Sequence, residues 1–113
     1  MAVIERIERP ESHPYVVAWG RLTEEDEGRL LARVLTSRHV GVTVDLCEID
    51  EVTDEGCTAI KNVAEYMGQD QAMVVLYIPD RKATRSLERS GIADDGRIVL
   101  VASSSSHRIG LAV

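Results

Sequence analysis

Val40-Gly41-Val42-Thr43-Val44-Asp45-Leu46, running directly into Cys47-Glu48-Ile49-Asp50-Glu51-Val52-Thr53-Asp54-Glu55-Gly56, is the stretch whose reading decides the fold. Its first part is rich in β-branched residues and flanked by polar groups, the pattern of a central strand buried on both faces. From Asp45 onward it carries six carboxylates, Asp45, Glu48, Asp50, Glu51, Asp54 and Glu55, between the end of the strand and the next apolar-periodic segment. That segment starts near Asp54 or Glu55. Cys57, Ile60, Val63, Ala64 and Met67 recur at helical spacing, Thr53 or Asp54 can cap the start, and Met67-Gly68 is a stop.

The same alternation extends in both directions. Upstream, Val3 to Ile7 and Tyr15 to Trp19 are apolar stretches separated by Arg9-Pro10-Glu11-Ser12-His13-Pro14, which predicts a hairpin. Gly20 ends the second strand. Thr23-Glu24-Glu25-Asp26 then reads as a capping box for a helix that buries Leu30, Leu31, Val34 and Leu35. Downstream, Met73 to Ile78 is a nearly all-apolar strand closed by Pro79-Asp80. Asp80 caps a third helix to about Arg89, Ser90-Gly91 ends it, and Ile98 to Ala102 forms a further strand of the buried type. Strand, helix, strand, helix, strand, helix, strand predicts parallel βαβ crossovers in one domain spanning residues 1–113.

Composition narrows the function classes. The chain has 113 residues, with 13 Lys plus Arg against 19 Asp plus Glu, and the net charge of −6 repels phosphate backbones and anionic membrane surfaces. Aromatic residues are only 4%, too few for a base-stacking platform, so nucleic acid is not an expected partner. Glu5 and Arg6 interrupt any signal-peptide core and no apolar run approaches a membrane span. Cys47 and Cys57 lack CxxC spacing and fit a reducing, cytoplasmic setting in which Cys is a small buried hydrophobe.

Chemistry-bearing patterns are sparse. An EF-hand beginning at Asp50 needs an oxygen ligand where Val52 stands and a Glu where Lys61 stands, so the acidic run does not read as a metal site. Acidic residues favoured by the positive end of a helix dipole account for it. Ser103 to Ser106 with His13, His39 or His107 lack a G-x-S-x-G elbow, and no phosphate-binding glycine loop is present. No enzyme, metal or cofactor is expected.

Gly20-Arg21-Leu22 after strand two, Val44-Asp45-Leu46 on strand three, Thr53-Asp54-Glu55-Gly56 opening helix two, and Leu87-Glu88-Arg89-Ser90-Gly91-Ile92 closing helix three resemble, in order and spacing, a STAS domain over roughly Tyr15 to Ala102. The resemblance implies a mixed, mostly parallel sheet of about five strands packed with three or more helices. It also implies the role of a bacterial anti-sigma factor antagonist, a protein-binding regulator of transcription. Its partner would be an anti-sigma factor with an ATP-binding kinase fold, and the contact would involve Thr53, Asp54, Glu55, Gly56, Lys61 and Asn62, with Glu65 on the same helix face. The alternative is a scaffold or sensor STAS module in a larger signalling assembly.

One motif departs from the family. Aspartate, two serines and glycine usually open this helix; here Thr53 stands for the aspartate, Asp54 for the first serine and Glu55 for the phosphoacceptor, and Gly56 alone matches. The serine switch is therefore missing. Glu55 supplies one permanent charge against about −1.5 to −2 for phosphoserine, and reads either as an imperfect mimic or as an ordinary first-turn acid. Thr53 reads as an N-cap or as a displaced phosphosite. After strand five only Ser103 to Val113 remain, where Ile109, Leu111 and Val113 alternate at strand period. A short strand, a frayed tail and a segment pairing with a second copy are the readings of that tail, the last implying a homodimer.

Overall fold

A computed structural model describes residues 1–7, 15–35, 41–67, 72–79, 81–94 and 96–103. The predicted N-terminal hairpin is present: β1 (Ala2–Ile7) lies antiparallel to β2 (Tyr15–Leu22). Strand two does not stop at Gly20. That residue adopts φ +89, a backbone conformation open to glycine, and the ladder shifts register there before β2 continues to Leu22.

Thr23 builds the expected capping box. Its hydroxyl accepts from the Glu25 N–H at 3.2 Å while the Asp26 carboxylate accepts from the Thr23 N–H at 2.9 Å. A single 3-10 turn, Glu24–Asp26, precedes α1 (Glu27–Leu35), whose Leu30 and Val34 are buried. Asp26 itself is buried, and also accepts from the Ala2 N–H at 3.0 Å and from Arg29. Burial alone would raise its pKa, but the bonds from Thr23 and Ala2 and the Arg29 charge outweigh it and hold the carboxyl below its ordinary value.

β3 (Gly41–Asp45) pairs with the first half of β2, and β4 (Ile49–Val52) pairs with the second half along the same edge, both in parallel. The acidic run expected to be a mere connection therefore contains a sixth strand. Ile49 and Val52 point into the core while Asp50 and Glu51 face out, so two adjacent charges mask the alternation that marks a strand. Between β3 and β4 the chain turns under the buried Asp45, which accepts from the Cys47 N–H at 2.9 Å and from the Tyr15 hydroxyl.

α2 (Asp54–Met67) matches the expected span, and β5 (Ala72–Tyr77) and β6 (Ile98–Ala102) complete a sheet of order β1-β2-β3-β5-β6 with β4 beside β2. The third helix is shorter than expected. A 3-10 turn at Lys82–Thr84 leads into α3 (Arg85–Arg89), and buried Thr84 donates its hydroxyl proton to the Ile78 carbonyl at 2.9 Å. The expected Asp80 cap, the Gly68 stop and the tail beyond Ser103 lie outside the described residues.

The core occupies one face of this sheet. Ile4, Val16, Ala18, Val42, Val44, Met73, Val75 and Ile98 pack there against Leu30 and Val34 of α1, Ile60 and Val63 of α2, and Leu87 of α3. Cross-strand partners share a face, so the register places Val3 with Trp19, and Tyr15, Thr43, Val74 and Val99 in one row, on the opposite side. None of these joins the core cluster, and among the described residues no helix covers them. The expectation that Ile98 to Ala102 is buried on both faces is thus corrected, because Val99 and Val101 are exposed; on the second face of β3, Asp45 is buried and Thr43 half-buried. An apolar run records β preference as well as burial, and among the described residues no helix covers the second face of β6.

Candidate functional site

The junction of β2 and α2 is built around one hydroxyl and one missing side chain. Thr53 donates its N–H to the Leu22 carbonyl at 3.1 Å, and its hydroxyl oxygen lies 3.3 Å from the same carbonyl. That oxygen also accepts from the Gly56 N–H at 2.9 Å, which makes Thr53 the N-cap of α2 and satisfies one of the helix's free donors. A Cβ on Gly56 would fall 2.3 Å from the Leu22 carbonyl oxygen, so only glycine lets the first helical turn press against the end of β2.

This close approach fixes where the acidic pair goes. Gly56 and Cys57 are buried, and Asp54 and Glu55, on the opposite side of the first turn, are exposed. Both carboxylates sit where the helix dipole favours them. Asp54 leans toward Arg89 at 3.9 Å, an exposed pair of little energetic weight. Glu55 instead lines a depression shared with Arg21, Thr23, Glu24 and Glu25. Arg21 is held by Glu51 at 2.7 Å, across the β2–β4 register, so its charge is already matched and the depression is net acidic.

Farther along α2 the sequence-predicted residues separate. Lys61 and Asn62 are half-buried and not fully exposed, while Glu65 is exposed. Asn62 donates its amide to Glu27 at 2.8 Å and so ties α2 to α1. Glu27, Asn62, Glu65 and Tyr66 line a groove between these helices, and Tyr66 stands 66% exposed in it. Asp54, Glu55, Thr58, Lys61, Asn62, Glu65 and Tyr66 therefore form one outward stripe of α2 at helical spacing.

The structure brings Thr53, Asp54, Glu55 and Gly56 together and adds Arg21, Glu24 and Glu25, which sequence reasoning missed. The helix period could have supplied Thr58 and Tyr66, but the approach of Glu24 and Glu25 to Glu55 depends on tertiary packing. Cys57 is fully buried and burial pushes its thiol up, despite the lowering effect of a Ser90 hydrogen bond. Among the described residues no group of three or more His, Cys, Asp or Glu is arranged to hold a metal ion. No helix among them is long and apolar enough to cross a membrane.

Comparison with solved structures identifies the architecture. The chain is similar to an anti-sigma factor antagonist from Mycobacterium paratuberculosis, with a TM-score of 0.63 at 16% identity over 86% of both chains. It is similar to the anti-sigma factor antagonist SpoIIAA in its unphosphorylated form, with a TM-score of 0.59 at 8% identity over 98% of both chains. An uncharacterised DUF3478-family protein from Shewanella loihica with a SpoIIAA-like fold matches with a TM-score of 0.53 at 17% identity, over 98% of this chain and 91% of that one. No protein-family model and no curated protein matches the sequence. The fold is α/β and SpoIIAA-like: a mixed, mostly parallel sheet with helices.

Proposed function

We propose that the chain is a regulatory protein-binding module of the anti-sigma factor antagonist type and not an enzyme. Its contact surface is the start of α2, Thr53 to Gly56, extended by the outward stripe of that helix through Lys61 and Asn62. The observation that carries this reading is the outward presentation of Asp54 and Glu55, imposed by the contact of Gly56 with Leu22. Two solved structures that share the fold are described as anti-sigma factor antagonists, which supports the choice of partner.

The partner is an anti-sigma factor with an ATP-binding kinase fold, and engagement frees a sigma factor in the cytoplasm. Glu55 holds a carboxylate where the resemblance places a phosphorylatable serine. It cannot be phosphorylated as a serine is, so the module works without that switch, and Thr53 spends its hydroxyl on capping. Neither a cofactor nor nucleic acid takes part.

The test is affinity capture from the native host with and without ATP, followed by calorimetry on the retained anti-sigma factor. Glu55→Lys is expected to weaken binding about tenfold, the size of one desolvated charge contact at a protein interface, with the thermal midpoint unchanged. Retention of no ATP-binding partner would overturn the reading and favour a scaffold module. Unchanged affinity of Glu55→Lys would remove Glu55 from the contact.

A further inference from the structure

In a chain of net charge −6, Arg81, Lys82, Arg85 and Arg89 concentrate positive charge in one short segment. Arg81 is used structurally: its guanidinium donates to the Cys47 carbonyl at 2.6 Å. The other three recur at helical spacing along the Lys82–Thr84 turn and α3. With Ser86, Asp50 and Glu51 they line a depression of about 420 Å³. Its opposite wall is β4, which pairs only with β2 among the described residues and packs beside the Lys82–Thr84 turn. The depression therefore lies toward the carboxyl end of a parallel strand, the side on which open α/β sheets bind ligands.

The charges in this depression are unbalanced. Glu51 is matched by Arg21 at 2.7 Å, and Arg89 reaches Asp54 only at 3.9 Å. Among the described residues Lys82 and Arg85 have no ion-pair partner, so three cations face Asp50 as the one unmatched acid. Local helix chemistry does not account for them. Arg89 stands at the carboxyl end of α3, where the dipole favours a cation, but Lys82 and Arg85 stand before and at its start, where the dipole opposes one. Ser86 points to a ligand independently. It is only 9% exposed, its oxygen accepts from Arg89 at 3.3 Å, and its hydroxyl proton has no acceptor among the described residues. A nearly buried hydroxyl without an acceptor, lining the same depression as three cations, is a site short of an oxyanion.

We propose that this depression binds the phosphate group of a small molecule. Phosphate oxygens accept from Lys82, Arg85 and Arg89 and from the Ser86 hydroxyl, while Asp50 accepts from a ligand hydroxyl or from a protonated phosphate oxygen. Inorganic phosphate and a small phosphate ester share this chemistry. The framework stands before the ligand arrives, because the Arg81 bond to Cys47, the Thr84 hydroxyl bond to the Ile78 carbonyl at 2.9 Å and the buried Leu87 tie the segment to the rest of the fold. Size agrees, since small-molecule sites span roughly 300–1,000 Å³. The acidic remainder of the surface turns polyanions away and leaves small phosphates as the occupants. The site is distinct from the acidic edge of α2 and does not depend on the partner proposed above.

Titration of the full chain with glycerol phosphate and with inorganic phosphate, followed in amide NMR spectra, tests the proposal. Saturable shifts are expected at Asp50 to Val52 and at Lys82 to Arg89. Tighter binding of glycerol phosphate assigns an organic ester, and equal or weaker binding assigns phosphate itself. Glycerol alone is expected to leave the spectrum unchanged. Lys82→Gln and Arg85→Gln are each expected to weaken binding about tenfold, the loss of one charge-assisted contact. Ser86→Ala is expected to weaken it about fivefold, the loss of one hydrogen bond, with the spectrum still that of the folded chain. Arg33→Gln, which removes an exposed cation of α1 outside the depression, is expected to leave binding unchanged. Shifts that do not saturate, that spread over all surface cations, or that survive undiminished in Lys82→Gln and Arg85→Gln would overturn the proposal.

Discussion

Gly56 and Asp26 carry more of the structure than their size suggests. Gly56 is required by contact and not by backbone angle, because the Leu22 carbonyl occupies the place a Cβ would take. Gly56→Ala must push α2 away from β2 or strain its first turn. The expected cost is about 1–3 kcal/mol, the range for overpacking a close contact, measured as a lower urea midpoint. Asp26 joins three elements: it accepts from the start of β1, from the cap residue Thr23 and from Arg29 on α1. Its pKa is lower when folded than the ordinary 3.8. The unfolded state therefore binds more protons as pH falls through that region, and stability present above about pH 4 is lost below it. Asp26→Asn is expected to cost about 1.5–3 kcal/mol at neutral pH, as the loss of charge-assisted bonds to a buried group does. Acid titrations of stability should separate the pair, with the asparagine variant showing the flatter dependence as pH falls through and below the ordinary carboxylate value of 3.8.

At the level of elements, legibility followed the strength of the periodic signal. α2 was readable end to end because its apolar residues recur over four turns and Thr53 offers a cap. The Thr23 box was readable because capping is local chemistry, although the 3-10 turn it opens left no mark in the sequence. β4 was hidden because four residues, two of them adjacent charges, carry no alternation, and because its pairing depends on the distant bulge at Gly20. The apolar strands β3, β5 and β6 are legible as strands, but the second face of β6, where Val99 and Val101 are exposed, is not legible from the apolar run. Periodicity records that a side chain is apolar and is silent on whether anything lies above it. The candidate site divides in the same way: Thr53 to Gly56 came from a contiguous motif, whereas Glu24, Glu25 and Arg21 reach Glu55 only through packing that no local pattern encodes.

For the molecule as a whole, the acidic edge at the start of α2 makes the proposed partner contact sensitive to salt. The α2 side presents Glu55 with Glu24 and Glu25, where the charges are solvent-exposed and add. A partner drawn to that side must be basic, and its association is expected to slow and weaken as salt rises, because the Debye length falls from roughly 10 Å at 0.1 M to 3 Å at 1 M. Calorimetry at the two salt concentrations measures this, and an affinity that salt leaves unchanged would remove the acidic edge from the contact.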